Sequence, residues 1–383
     1  MKTYIKVIAI LALSVLLYVD LPAQIQNHVQ IHGFGGWAAG RTDNDNQYGL
    51  IASKQTPMAN YYFTLNLSAQ LERNVSIFVQ PSWQTDLSGD QVVLDYAFAQ
   101  WTLAKQFGLR VGKIKNPLGS YAEILNVGTL RPFYLIPQST YFSTSQSYSG
   151  VGLTGIIGLG SLELSYDLFG GRQSYFPISF EMPVAVDPVT SRPIYLTVPV
   201  TPEGRNLVAG RLLLQTPISG FKIGGIIATL DLYYQIADMP IMRIDNKRSV
   251  GYTGQAEYVT DRIHLRAEYG EMDDPNLSII RGFGEAAFKI TPHWQVAADY
   301  DWAEFKWGAI TMVAVPKDPD LSKHHTAGLA LNYWISPDLV FKLNRYWVKG
   351  NVFCKPESAA QSLALGTLKH TTDVWIFGMQ FAF

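Results

Sequence analysis

Residues 261–270 read Asp-Arg-Ile-His-Leu-Arg-Ala-Glu-Tyr-Gly. In an extended chain successive side chains point to opposite sides, so Ile263, Leu265, Ala267 and Tyr269 share one face, and Arg262, His264, Arg266 and Glu268 share the other. A helix would scatter these charges around its circumference, whereas a strand separates them completely. The same two-residue rhythm recurs in Phe63-Leu65-Leu67-Ala69 against Thr64-Asn66-Ser68-Gln70, in Leu162-Leu164-Tyr166 against Glu163-Ser165-Asp167, and in Ala327-Leu329-Leu331-Tyr333 against Gly328-Ala330-Asn332. Trp294, Val296, Ala298, Tyr300 and Trp302 form one more apolar face, opposite Gln295, Ala297, Asp299 and Asp301. Trp294 and Trp302 stand ~26 Å apart along such a strand, or ~20 Å along a membrane normal after a ~40° tilt, which suits two interfacial aromatic belts.

Working outward, sixteen segments of this kind begin near Val29, Tyr61, Val75, Val92, Leu109, Tyr148, Ser161, Asn206, Lys222, Ser249, Arg262, Ile279, His293, Thr326, Leu339 and Val374. The links between them alternate. Short ones fall at 72–74, 104–107, 158–160, 216–220, 260–261, 291–292 and 336–337; long ones fall at 39–60, 84–91, 114–146, 171–204, 235–248, 271–278, 304–325 and 350–373. An even strand number with short turns at one end and long loops at the other is the layout of a transmembrane β-barrel.

Composition agrees. Hydrophobic residues make up 48% of the chain and charged residues only 16%, yet beyond the N-terminal segment no stretch is apolar for the ~18 residues that a spanning helix needs. A membrane chain without such helices must close its backbone hydrogen bonds as a barrel, because each unsatisfied group in hydrocarbon costs several kcal/mol. Residues 1–23, with Lys2 and Lys6, an apolar run from Val7 to Leu17 and Leu21-Pro22-Ala23, read as a cleaved secretory signal; the apolar run is short for a membrane anchor. No linker or low-complexity stretch divides residues 24–383, which read as one all-β antiparallel barrel with residues 114–146 as a loop inside it. The formal net charge is −1, about −2 without Lys2, Lys6 and Asp20, and gives no basis for nucleic-acid binding. Cys354 is the only cysteine and reads as an incidental loop residue that cannot form an internal disulfide.

The alternating segment Trp375-Ile376-Phe377-Gly378-Met379-Gln380-Phe381-Ala382-Phe383 resembles the terminal strand that outer-membrane porins present to the barrel-assembly machinery. Asp95-Tyr96-Ala97-Phe98-Ala99-Gln100-Trp101 followed by Leu109-Arg110-Val111-Gly112-Lys113-Ile114-Lys115-Asn116-Pro117-Leu118-Gly119 resembles a strand-turn-strand block of Gram-negative porins related to the phosphate-selective group, although the loop after it lacks the basic cluster of phosphate selectivity. The resemblance implies a sixteen-stranded porin of the cell outer membrane, in contact with lipid and lipopolysaccharide. It also implies a homotrimer, a water-filled channel for passive diffusion of small polar or anionic solutes, and a loop after the fifth strand that folds inward and narrows the channel.

Loop residues Tyr121, Arg131 and Tyr134, with Glu123, Tyr141, Pro132 and Pro137, make that loop stiff and amphipathic. Strand parity then places Arg211, Arg262, His264, Arg266, Arg281, Lys289 and Lys342 on the wet face, with Glu163, Asp167, Glu257, Glu268, Glu285, Asp299 and Asp301. A basic stripe facing the loop, and a modest anion preference, is one expectation; mutual pairing of Arg and Glu across strands is the other. Lys113 and Lys115 share the parity of Val111 and reach the lumen only through a bulge. Gly33, Gly35 and Gly36 offer a close approach to a neighbouring barrel, or else ease curvature. A catalytic reading fares poorly, since the seven histidines show no triad or zinc-site spacing. No cofactor or metal is expected. A plugged transporter would need more than the few residues between 24 and Val29, and a structural or adhesive barrel stays open as an alternative.

Overall fold

In the computed structural model, residues 29–49, 59–86, 89–141, 146–175, 178–189, 193–308, 319–356 and 358–383 are described. The signal assigned to residues 1–23 lies outside them. Among the described residues sixteen strands build a single barrel: β1 (Val29–Thr42), β2 (Ala59–Glu72), β3 (Val75–Asp86), β4 (Gly89–Ala104), β5 (Phe107–Lys115), β6 (Ser147–Leu159), β7 (Leu162–Ser174), β8 (Pro193–Gln215), β9 (Phe221–Ile236), β10 (Ser249–Val259), β11 (Ile263–Asp273), β12 (Leu277–Lys289), β13 (Trp294–Trp307), β14 (Lys323–Ser336), β15 (Leu339–Lys349) and β16 (Thr371–Ala382). Each pairs antiparallel with the next, and β1 pairs with both β2 and β16, in registers such as Val29↔Ala69 and Phe34↔Ala382. The ring of sixteen strands therefore has no edge, which is the condition for leaving no backbone group unpaired in hydrocarbon.

Burial along the strands is inverted relative to a soluble protein. On β11, Ile263, Leu265 and Tyr269 are 36%, 43% and 45% exposed, while Arg266 and Glu268 are 7% and 5% exposed. The outer surface carries two aromatic zones. Trp37, Trp83, Tyr269, Tyr300, Trp347 and Trp375 lie toward the long-loop end, and Trp101, Phe107, Phe288, Trp294, Tyr333 and Phe383 toward the short-turn end. Amphipathic rings at both ends of an apolar band suit the two faces of a bilayer.

Three features depart from the simple pattern. First, β8 starts at Pro193 rather than near Asn206, and its early part pairs with an additional strand, Ile178–Val186, as a hairpin beyond the barrel rim. Pro193, Pro199 and Pro202 hide this strand from a pattern search, because proline interrupts ladders inside a sheet but is tolerated on such a projecting hairpin. A bulge between Arg205 and Val208, with Asn206 at φ 51°, separates hairpin from wall. Second, the inner face is not uniformly polar: Ile114, Tyr148, Phe169, Leu207, Ile226 and Leu230 from β5 to β9 form an inward apolar cluster. Third, Cys354 is not an incidental loop residue. It pairs with Tyr48 in a two-stranded ladder (Gln47–Tyr48 with Cys354–Lys355) and is fully buried in a cluster with Phe133, Tyr134 and Tyr346.

At the closing seam, an added Cβ on Gly33 would meet the Phe383 ring at 2.1 Å, and one on Gly35 would meet the Phe381 ring at 2.4 Å. Phe63 stacks beside both rings, with centroids at 6.4 and 6.5 Å. These two glycines thus seat the chain's own aromatic rings, the packing known as aromatic rescue of glycine, rather than a neighbouring barrel.

Candidate functional site

The chain leaves β5 at Lys115 and re-enters the wall at β6 with Ser147, and residues 116–141 run inside the barrel. Pro117, Pro132 and Pro137 restrict its backbone, and Gly119, at φ +72°, makes the turn that brings it to the far wall. A Cβ on Gly119 would lie 2.1 Å from the Tyr141 hydroxyl and 2.4 Å from the Glu268 carboxylate, so only glycine fits. There Ser120 donates to Glu268 Oε1 twice, from its backbone N–H at 2.5 Å and its hydroxyl at 2.6 Å; the Tyr141 hydroxyl donates to the same oxygen. The Tyr121 hydroxyl donates to Glu285, and its ring packs against Tyr141 and Phe283.

The loop then crosses back. Asn126 Nδ2 donates to Asp95 Oδ2 at 2.9 Å, where a bulge in β4 opposite Pro81 leaves Asp95 as the unpaired extra residue. Past a short 3₁₀ turn at Gly128–Leu130, the Lys342 ammonium of β15, itself only 1% exposed, donates to the carbonyls of Gly128 (2.8 Å), Arg131 (2.5 Å) and Phe133 (3.3 Å). Asn332 Nδ2 donates to the Pro132 carbonyl at 2.8 Å. The Tyr134 N–H donates to Asn344 at 2.8 Å, and its hydroxyl donates to Asn60 at 2.9 Å. Finally Ser139 N–H donates to the Asp301 carboxylate (3.2 Å), and Arg281 donates to the Thr140 carbonyl (3.1 Å). Arg131 is buried at 5% exposure. Charge-assisted hydrogen bonds of this kind fix position as well as energy.

The residues singled out in the sequence therefore divide. Glu268, Arg281, Glu285 and Lys342 hold the loop. Arg266 pairs with Glu285 at 3.1 Å and Glu257 at 3.5 Å and lies over the Tyr121 ring, with 5.5 Å to the centroid. Arg211 pairs with Asp167 at 2.7 Å and lies 3.9 Å from Glu123 of the loop. Asp299 sits opposite Gly328, where any larger residue would strike its carboxylate. His264 lies partly buried on β11, and Lys289 lies 5.2 Å from the Trp334 ring centroid. Arg262 is not in a strand: it is exposed in the turn before β11. Lys115 approaches the Tyr96 ring (6.0 Å to the centroid) and the Glu123 carbonyl (3.3 Å), whereas the Lys113 ammonium caps the Leu94 carbonyl beside the β4 bulge. In place of a free basic stripe there is a set of paired groups.

Two charged groups were named in the sequence without a place in the lumen. Arg110 on β5, 29% exposed, bonds Gln100 at 2.8 Å and Asp167 at 3.5 Å. It has the wet-face parity of Gly112, and that signal was sufficient to find it. Glu123, 78% exposed, reaches Arg211 from the loop, where parity has no meaning. The chain Arg110–Asp167–Arg211–Glu123 thus joins wall to loop. His324, fully buried, presents the same Nε2 to both Asp301 (3.4 Å) and Thr326 (3.0 Å), unlike a catalytic base, which uses its two nitrogens for different partners. Among the described residues no group of three or more His, Cys, Asp or Glu side chains could hold a metal ion.

No family model matches the chain, and no curated protein matches it. Solved structures do share its fold. The outer membrane channel DcaP of Acinetobacter baumannii is 10% identical, covering 93% of this chain and 97% of its own, with a TM-score of 0.53. OmpF of Salmonella typhi in complex with daunomycin is 13% identical over 93% and 97%, with a TM-score of 0.53. An anion-selective porin from Comamonas acidovorans is 10% identical over 93% and 99%, with a TM-score of 0.52.

Proposed function

We propose that this chain is an outer-membrane porin through which small polar solutes diffuse passively, with the loop between β5 and β6 narrowing its lumen. The observation that carries the reading is the inverted barrel itself: Leu265 and Tyr269 lie outward and exposed while Arg266 and Glu268 lie inward. The narrow region lies where Glu123 on the loop faces Arg110, Asp167 and Arg211 on the wall. Because the buried arginines are matched by carboxylates, the field there is weak, and the modest anion preference expected from the sequence is reduced toward little ion selectivity. Phe383 and the strand before it engage the barrel-assembly machinery, the outer band meets lipid and lipopolysaccharide, and the assembly is a homotrimer, readable as a cross-linking ladder that stops at three.

Planar bilayers test the reading. Purified protein gives stepwise ion currents, and Glu123→Gln, which removes the exposed negative charge beside Arg211, moves the reversal potential in a salt gradient toward greater anion preference. A folded protein that inserts without current steps would favour the structural or adhesive alternative.

A further inference from the structure

The loop is fastened mainly to β11–β16 and β2, with single contacts to Asp95 of β4 and Arg211 of β8, and this leaves part of the inner wall of β3–β5 facing the lumen. There Phe78 and Phe98, both only partly buried, stack at 5.0 Å between centroids and 21° between planes, and Tyr96 continues the row 5.7 Å from Phe98. The Arg110 guanidinium lies 5.8 Å from the Phe98 centroid, and Lys115 flanks the other end at Tyr96. Next to Phe98 across the ladder stands Gly112, which adds no side chain between ring and guanidinium.

A water-filled passage needs no aromatic surface on its wet side. Phe98 also packs against the inward apolar cluster of β5–β9, but the ring surface that the stack leaves partly exposed costs hydration free energy unless something apolar covers it. The neighbouring polar groups indicate what kind of molecule that is. Arg110 and Arg211 supply donors, Asp167 and Glu123 supply acceptors, and their charges cancel, so the cluster offers hydrogen bonds of both senses with no net attraction for an ion. A flat apolar surface bordered by mixed donors and acceptors suits a neutral solute that has one C–H face and a rim of hydroxyls. We propose that Phe78, Phe98 and Arg110, with the Asp167–Arg211 pair, form a binding strip for sugar-ring solutes inside the lumen. The proposal rests on the pore reading and adds a substrate class to it.

The test uses the folded full-length protein in planar bilayers, with a linear glucose trimer as probe and sorbitol, an acyclic polyol without a ring face, as control. The trimer interrupts the open-channel current in a concentration-dependent way, and sorbitol interrupts it at least tenfold less at equal concentration. Phe98→Leu keeps apolar volume but removes the ring; it conducts like the parent, while its association constant for the trimer falls on the order of tenfold, as loss of one aromatic contact implies. Arg110→Gln lowers it similarly, and Phe98→Tyr retains it. Current steps that the trimer never interrupts, equal interruption by sorbitol, or an unchanged constant in Phe98→Leu each overturn the sugar strip while leaving the pore standing. The absence of any current steps removes the pore reading and this proposal together.

Discussion

Lys342 shows how much one inward residue can decide. Its ammonium, buried with no carboxylate in hydrogen-bond contact, is satisfied by three loop carbonyls. Replacing it by Met leaves those carbonyls without their donor and costs about 3 kcal/mol of loop attachment, at the scale of hydrogen bonds to charged groups. The readout is limited chymotrypsin digestion of the folded protein: Phe133 and Tyr134, buried in the parent, become cleavage sites in Lys342→Met, and resistance equal to the parent would show that the loop is held elsewhere. Cys354 gives a second prediction. Burial pushes its thiol up to about 12, so the thiolate is scarce until the pH approaches that value. Alkylation at pH 8 is slow on the folded barrel and fast after denaturation; rapid labelling of the folded protein would contradict the packing around Tyr48. The sequence disclosed Arg266 and Glu268 correctly as inward because two-residue parity alone places them. It could not place Cys354 or Glu123, whose positions depend on loop contacts between residues far apart in the chain.

At the level of elements, strand positions were legible because each wall strand has one face in contact with one medium. The register of β1 against β16 was not, since nothing in a local pattern says which glycine meets which ring. Gly33 and Gly35 beneath Phe383 and Phe381 supply that information. Gly33→Val drives a branched side chain into the Phe383 ring and impairs closure, seen as loss of the compact, heat-modifiable band on a gel; a normal band at normal yield would dismiss the seam's role. The projecting hairpin was missed for its prolines, yet it is anchored: Glu181 accepts from the Ala360 N–H at 2.7 Å, at the start of the helix Ala359–Ala364 between β15 and β16. Because β8 and β16 are eight strands apart in a ring of sixteen, the hairpin bridges the mouth. Glu181→Lys removes the acceptor and sets a cation against the helix start. Open-channel current noise measured with the long-loop side facing the probe electrode rises in that variant, and unchanged noise would mean that the bridge does not gate access.

On the scale of the whole molecule, the fold was readable from the sequence because a barrel in lipid must repeat one rule sixteen times, and each repeat confirms the others. The interior resisted the same reading because a loop that crosses the lumen converts wall charges into fasteners, as Arg281 and Lys342 show. The seam has a consequence for how such a chain comes into being. Phe34 meets Ala382, so the earliest strand lacks half of its hydrogen-bond partners until nearly everything else has been synthesised and delivered. Local zippering of hairpins can proceed from either direction, but the final join is the longest-range contact available to the polymer, and it comes last. Until that join forms, the sheet is an unfinished ribbon with two open edges, and those edges have to be kept from pairing with other chains.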